Sequence, residues 1–230
     1  MKAGIIGTGT VGRTIAAKLA QLDHAVMMGT RNIAEKLAVT EKDNYGNPPF
    51  SEWLSKNNNV KLGTFADAAS FGDIVFNATN GSSSVTALIM AGTRNLSGKV
   101  LVDISNPLDF SNGMPPSLLP GLNNTNSLAE EIQNTFPDAK VVKTLNTMWC
   151  RLMIDPGLIG NGNHINFIAG DDSGAKEEVR KILKQFGWKE ENIIDLGDIT
   201  AARSTEAFVT LWIRVRNALN TGAFNFGLVK

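Results

Sequence analysis

The chain has one cysteine, two histidines and one tyrosine, and each scarcity removes a class of chemistry. A single thiol, Cys150, has no partner for an intramolecular disulfide, and no grouping of Cys and His has the spacing of a zinc site. No metal site is therefore expected, and Cys150 reads as a small apolar side chain near a strand end. Net charge is also absent: 22 Lys plus Arg balance 22 Asp plus Glu, and the basic residues are scattered singly. Such a chain has no electrostatic pull toward nucleic acid or an anionic membrane. No apolar run approaches the ~20 residues of a membrane span. The glycine-rich turn described below starts so early that no secretory leader is expected before it, which points to a reduced, cytoplasmic protein.

What the chain does have is apolar material and glycine. Hydrophobic residues make up 43% of 230, and there are 22 glycines, enough for a sizeable core in an ordinary globular composition. Short β-type runs at residues 3–6, 25–29, 60–62, 73–78, 100–104 and 140–143 alternate with helical patterns at 10–22, 65–70 and 85–91. A further short helix is expected at 50–56. Ser127 with Glu130 spells a capping box opening a helix through Phe136. This rhythm means an α/β, Rossmann-type doubly wound parallel sheet over residues 1–150. Residues 106–126, rich in Pro, Gly, Asn and Ser, read as a long loop of the kind that is more often functional than idle. After residue 150 come strands at 165–169 and 193–196, a helix at 173–186 and a long helix at 203–219. They are expected to form a smaller C-terminal α/β subdomain, 151–230, closing one side of a cleft.

The strongest motif is Gly7-Thr8-Gly9-Thr10-Val11-Gly12. It follows a hydrophobic strand and opens an amphipathic helix, the context a dinucleotide fingerprint requires. Gly7 permits the tight turn, Gly9 lets the backbone approach a pyrophosphate, and Gly12 lets helix and strand pack closely. The helix N-terminus then offers free N–H groups to the phosphates, with Thr8 and Thr10 as added hydroxyl donors. The second strand ends Gly29-Thr30-Arg31-Asn32, without the carboxylate that would accept from a ribose 2′-hydroxyl. Thr30 and Arg31 instead suit a 2′-phosphate, with Lys36 one helical turn on, so the expected cofactor is NADP(H). Ala78, Thr79 and Asn80, at the fourth strand's end, and Ser105, Asn106 and Pro107, at the next, should line the nicotinamide side of the same crevice.

Candidates for proton transfer are few. Tyr45 has no Lys four residues on, and His24 and His164 sit at element boundaries away from the expected crevice. Lys143 and Asn146, at the end of the last Rossmann strand, are the remaining candidate pair. Carbonyl reduction would need an acid such as Lys143. Hydride transfer into an isoalloxazine-like ring would not, and the shortage of acids favours that class. A non-catalytic NADPH-sensing module stays open.

GTGTVGRTIA followed by GTRN, then VVKTLNTM, FIAGDD, ARSTEAFVTLWIRVRNAL and FGLVK, resembles the deazaflavin (coenzyme F420)-dependent NADP oxidoreductases. It also resembles the related NADPH-binding domain of the six-transmembrane metalloreductases. The likeness covers most of the chain, in order. It implies hydride exchange between NADP(H) and a tricyclic co-substrate, coenzyme F420 or a flavin. It also implies that Thr8, Thr30, Arg31 and Lys36 hold the adenine-side phosphates, with Thr79 and Asn80 on the nicotinamide side. The archaeal deazaflavin enzymes carry a histidine where this chain has Asn146. Finally, Arg203 and Glu206 lie one turn apart on the last helix, where they form an exposed ion pair or face the cleft or a subunit interface. The apolar series Phe208, Leu211, Trp212, Val215 and Leu219 suggests a homodimer built partly by that helix.

Overall fold

Strands buried on both faces anchor the molecule. In the computed structural model, which describes residues 1–43 and 46–229, β4 (Ile74–Asn77) and β5 (Val100–Asp103) are buried along their whole length. Tyr45 and Lys230 lie outside the described residues. β1 (Lys2–Ile6) leads through α1 (Thr10–Gln21) to β2 (Ala25–Thr30), α2 (Ile33–Ala38), α3 (Phe50–Lys56) and β3 (Val60–Thr64). α4 (Phe65–Phe71) returns the chain to β4, and α5 (Gly81–Ala91) and α6 (Thr93–Leu96) lead to β5. β6 (Leu108–Asp109) and β7 (Ser117–Leu118) form a small antiparallel pair. α7 (Leu128–Thr135), β8 (Lys140–Thr144), α8 (Cys150–Ile154), β9 (Asn166–Ala169), α9 (Ser173–Gln185), β10 (Ile193–Asp195) and α10 (Ala202–Leu219) complete the order.

The main sheet runs β10-β9-β8-β5-β4-β1-β2-β3. The chain winds outward from β1 to β3, then restarts beside β1 at β4 and winds the other way. The C-terminal ends of β1 and β4 thus bound the switch-point crevice where open α/β sheets bind ligands. One face of the sheet is covered by Ile15 and Leu19 of α1, Leu152 of α8 and Val179 of α9. The other is covered by Ala68 of α4, Leu88 of α5, Ile132 of α7 and Ala202 of α10.

The expected C-terminal subdomain has no core of its own. β9 pairs antiparallel with β8, β10 pairs parallel with β9, and Ile168, Val179 and Ile193 join the same cluster as Ile5 and Val102. The change of texture after residue 150 marks the antiparallel return into the sheet, which needs an irregular 145–165 connection. The loop at 106–126 is tied down by the β6–β7 pair and by Leu119 N–H donating to the Pro107 carbonyl at 2.8 Å.

The Arg203–Glu206 ion pair, one of the readings open for α10, does not form, because each residue has a partner on α7. Arg203 Nε donates to Glu130 Oε2 at 2.8 Å, while Glu206 accepts from the backbone N–H groups of Leu128 and Ala129 at 2.8 and 3.1 Å. Glu130 takes the hydroxyl of Ser127 at 2.7 Å, and Ser127 Oγ accepts from the Glu130 amide at 3.1 Å. The full capping box instead stands at Thr64 and Asp67, opening α4. Much of the α10 apolar series is used within the chain. Phe208 meets Phe167 and Phe226, and Trp212 stacks on Phe224 of the C-terminal tail, leaving Leu211 and Leu219 exposed.

Candidate cofactor and active site

The glycine turn joins β1 to α1 with three distinct requirements. Gly7 has φ +117°, and a Cβ there would stand 2.7 Å from the Ala78 carbonyl oxygen, so both its dihedral and its contact with the β4 end demand glycine. A Cβ on Gly12 would lie 2.4 Å from the Gly7 carbonyl oxygen, inside any allowed contact. Gly9 is different: a Cβ there meets nothing within 4 Å. Its glycine is therefore not needed for packing, and the open space before it is the cradle a pyrophosphate would fill, at the N-terminus of α1. The residues present thus fit a dinucleotide.

Arg13 supports this turn and was not singled out from the sequence. It is buried, with Nε donating to the Thr8 carbonyl at 3.0 Å and Nη1 to the Pro48 carbonyl at 2.6 Å. Its position one residue after Gly12, on the helix side facing the 47–48 segment, was the available signal. Asn47 Nδ2 donates to Thr10 Oγ1 at 2.8 Å, so the same segment is pinned to the first residue of α1.

At the end of β2, Thr30 is buried and Arg31 exposed. Among the described residues Arg31 has no hydrogen-bond or ion-pair partner, which leaves its guanidinium free for an anion. Lys36 is half-buried with its ammonium 5.6 Å from the Phe50 ring centre, and Arg13 lies 5.3 Å from the same centre. Burial, and then the neighbouring Arg13, lower the Lys36 pKa against the pull of Asp43. Asn32, counted with Thr30 and Arg31 as a candidate cofactor contact, has a competing duty. Its Oδ1 accepts from the Glu35 amide at 3.2 Å, capping α2, and its Nδ2 donates to the Glu35 carboxylate at 2.9 Å.

The ends of β4, β5 and β8 share one buried polar network. Asn77 Nδ2 donates to Asp103 Oδ1 at 2.8 Å, Ser105 Oγ to the same oxygen at 2.7 Å, and Thr79 Oγ1 to Asn77 Oδ1 at 2.7 Å. Asn80 caps α5, accepting from the Ser82 amide at 3.2 Å, and remains exposed at the crevice. Asn106 and Asn146 exchange hydrogen bonds, Asn146 Nδ2 to Asn106 Oδ1 at 2.9 Å and Asn106 Nδ2 to the Asn146 carbonyl at 2.8 Å. Pro107 is buried beside them. A Cβ on Gly81 would lie 2.0 Å from the Asn106 carbonyl, so the start of α5 packs directly on this strand end.

Lys143 does not face the crevice. Its side chain is 0% exposed, with Nζ 2.7 Å from Asp103, 2.7 Å from Glu206 and donating to the Ser105 carbonyl at 2.6 Å. Burial would lower its pKa, but the two carboxylates outweigh that and raise it, so Lys143 stays protonated. Burial pushes the Glu206 carboxyl up against the pull of Lys143, and the two α7 amides help hold its charge. Lys143, the candidate acid of the carbonyl-reductase alternative, is instead a buried cation held between two carboxylates. Neither histidine lies at the crevice. His24 pairs with Gln185 at 2.7 Å, and His164 is held by the Pro156 carbonyl at 2.9 Å and Asn225 at 2.8 Å. Cys150 is half-buried, and burial raises its thiol pKa.

The family model for coenzyme F420-dependent NADP oxidoreductases matches residues 2–107, the segment holding the glycine turn and the β2, β4 and β5 ends. A solved structure from Arthrobacter sp. FB24, described as a candidate F420-dependent NADP reductase, is 52% identical, with a TM-score of 0.93, covering 100% of this chain and 99% of that one. The chain belongs to this family. The family makes it an NADP-dependent oxidoreductase, in accord with the glycine cradle and the carboxylate-free end of β2. Metalloreductase STEAP3 of Rattus norvegicus is 27% identical over 208 residues, 90% of this chain, and the chain spans 36% of that protein's length. A hypothetical protein from Sinorhizobium meliloti shares the fold, with a TM-score of 0.65 at 24% identity, over 88% of this chain and 87% of that one. Among the described residues no helix is long and apolar enough to cross a membrane.

Proposed function

We propose that the protein exchanges hydride between NADP(H) and a flavin or deazaflavin ring held across the ends of β4, β5 and β8. The observation that carries this reading is the locked state of Lys143. With that ammonium spent on Asp103, Glu206 and the Ser105 carbonyl, what the strand ends offer, among the described residues, is the amides of Asn80, Asn106 and Asn146 and the hydroxyl groups of Thr79 and Ser105. Such groups orient a ligand but do not protonate a carbonyl oxygen at neutral pH, so an acceptor that needs no protein acid fits this site. The names of the family and of its 52%-identical relative support a deazaflavin, and that of the metalloreductase supports a reductive role in general.

When bound, NADPH would supply a hydride, which carries both electrons of the reduction. The chain's own contribution is positional. The Gly7–Gly12 turn and α1 N-terminus receive the pyrophosphate, and Thr30, Arg31 and Lys36 receive the 2′-phosphate. The linked Asn106–Asn146 pair borders the space for a second ring. Holding two rings face to face supplies most of what this transfer requires, because proximity and orientation dominate.

The test is anaerobic NADPH oxidation against riboflavin, FMN, FAD, coenzyme F420, ferric chelates, and a set of aldehydes and ketones. Reduction of a flavin or deazaflavin without aldehyde turnover supports the reading. Aldehyde or ketone reduction alone, or tight NADPH binding with no acceptor reduced, contradicts it.

A further inference from the structure

The Thr8–Gly9 peptide of the glycine turn is gripped from behind. Arg13 Nε donates to the Thr8 carbonyl at 3.0 Å, in a buried contact. The bond is trans, and in a trans peptide the carbonyl and the following N–H point in opposite directions. Fixing the Thr8 oxygen toward the guanidinium therefore aims the Gly9 N–H away from it. Gly9 is exposed, a Cβ on it would meet nothing within 4 Å, and among the described residues its N–H has no acceptor. The Gly9 carbonyl is engaged, accepting from the Arg13 amide at 2.9 Å. One residue thus holds the peptides on both sides of the Gly9 α-carbon.

The guanidinium is itself fixed. Arg13 is 8% exposed, its Nη1 donates to the Pro48 carbonyl at 2.6 Å, and the Phe50 ring centre lies 5.3 Å from its Cζ. Pro48 is a rigid acceptor: its own ring fixes φ, and the following Pro49 restricts the residue before it to extended backbone. Asn47 docks the same segment, with Nδ2 donating to Thr10 Oγ1 at 2.8 Å and its amide to Asp43 Oδ1 at 2.9 Å. The Asn47-Pro48-Pro49 stretch is a buttress for the turn, supplied by the connection between α2 and α3.

We propose that Arg13 is the positioning residue of the pyrophosphate site, turning the Gly9 N–H toward the cofactor's phosphates before the cofactor arrives. Nε and Nη1 stay on the two carbonyls throughout. An amide aimed in advance loses little freedom on binding, and a cation donating to the far end of the peptide polarises it toward an anion. The proposal concerns NADP(H) alone and stands whichever acceptor receives the hydride.

Nuclear magnetic resonance of the unaltered protein and cofactor titration of two variants test this. NADP⁺ or inorganic pyrophosphate should move the Gly9 amide resonance downfield and carry the Arg13 Nε–H with it, because hydrogen bonds at the two ends of one peptide strengthen each other. Adenosine 2′-monophosphate, which has the 2′-phosphate but no pyrophosphate, should leave both in place. Arg13→Met should weaken NADP⁺ about tenfold or more, the scale of one charge-assisted contact, with adenosine 2′-monophosphate held within about threefold. Arg13→Lys keeps the charge but cannot serve both carbonyls as a planar fork, so it should weaken NADP⁺ by a smaller factor. An arginine needed only for stability would weaken both ligands alike. That result, or unaltered NADP⁺ affinity in either variant, would overturn the proposal. So would a Gly9 amide or an Arg13 Nε–H that NADP⁺ does not move, a reading that needs no variant to fold.

Discussion

Lys143 Nζ and Glu206 Oε1 lie 2.7 Å apart with both side chains buried, tying the end of β8 to the second turn of the final helix. Asp103 closes the cluster from β5, and Glu206 reaches on to the first amides of α7. One cation thus fixes the strand ends beside the crevice to α10 and, through Glu206, to α7. Replacing Lys143 by Met would leave two carboxylates facing each other in a dry core. The expected cost is about 3–5 kcal/mol of unfolding free energy, because breaking a buried pair strands its partners. Urea denaturation measures it, and a loss below ~1 kcal/mol would mean the cluster is not the fastening described.

Gly9→Val and Gly12→Val should fail in different ways. A side chain at Gly9 meets no protein atom within 4 Å, so that variant should fold normally and lose NADPH binding. A Cβ at Gly12 would lie 2.4 Å from the Gly7 carbonyl oxygen, so that variant should lose stability as well. Circular dichroism melts paired with NADPH titration distinguish the two. Normal titration by a folded Gly9→Val protein would remove the assigned cradle.

Much of this was legible beforehand, for reasons that can be stated. The glycine turn, the β2 end and the parallel alternation were readable because backbone geometry and phosphate charge constrain those residues locally. The Lys143 cluster was not readable, since its partners sit 40 and 63 positions away in the chain. Local spacing left Arg203 and Glu206 either as a pair or facing outward from α10, and tertiary packing gave each residue a partner on α7. The continuation of the sheet through β9 and β10 was hidden for the same reason. Strand periodicity shows that a strand exists, but not which neighbour it takes or in which direction. Arg13 stands next to the last glycine of the turn, but nothing local shows that its guanidinium serves two backbone carbonyls, one of them 35 positions away.

Arg31→Ala should weaken NADPH by about 1.5–3 kcal/mol, the range for a hydrogen bond to a charged group, and leave NADH nearly unchanged. Isothermal titration with both cofactors checks this. Equal affinity of the unaltered protein for NADPH and NADH would show that Thr30 and Arg31 do not select the 2′-phosphate.

Acid should loosen the α7–α10 contact. The Arg203 hydrogen bond, opposed by partial burial and aided by Ser127, holds the Glu130 carboxyl below its usual 4.5. A carboxyl whose folded pKa is depressed adds stability above its unfolded pKa and loses it as the pH falls through the folded value. Stability should therefore fall as the pH drops below about 4.5, and Glu130→Gln should flatten that part of the curve while lowering stability at neutral pH. An identical acid limb in the variant would show that the pair contributes nothing.

Asn146→Ala removes the donor to Asn106 Oδ1 without touching the glycine turn or the β2 end. NADPH affinity should stay within about twofold, while kcat, or KM for the acceptor, worsens by tenfold or more, in line with misplacement of a reacting ring. Steady-state kinetics and NADPH titration together decide this. Unchanged kinetics would place the acceptor elsewhere.

The most direct measurement is an anaerobic single turnover with NADPH deuterated at the transferring carbon of the nicotinamide. Coenzyme F420 and FMN would serve as separate acceptors. The account predicts that one of them is reduced in step with NADPH oxidation, with a primary isotope effect. In the deazaflavin case, it also predicts that the label is recovered in the reduced ring. NADPH that binds but leaves both rings oxidised, or a label that appears only in an aldehyde or ketone product, would contradict it.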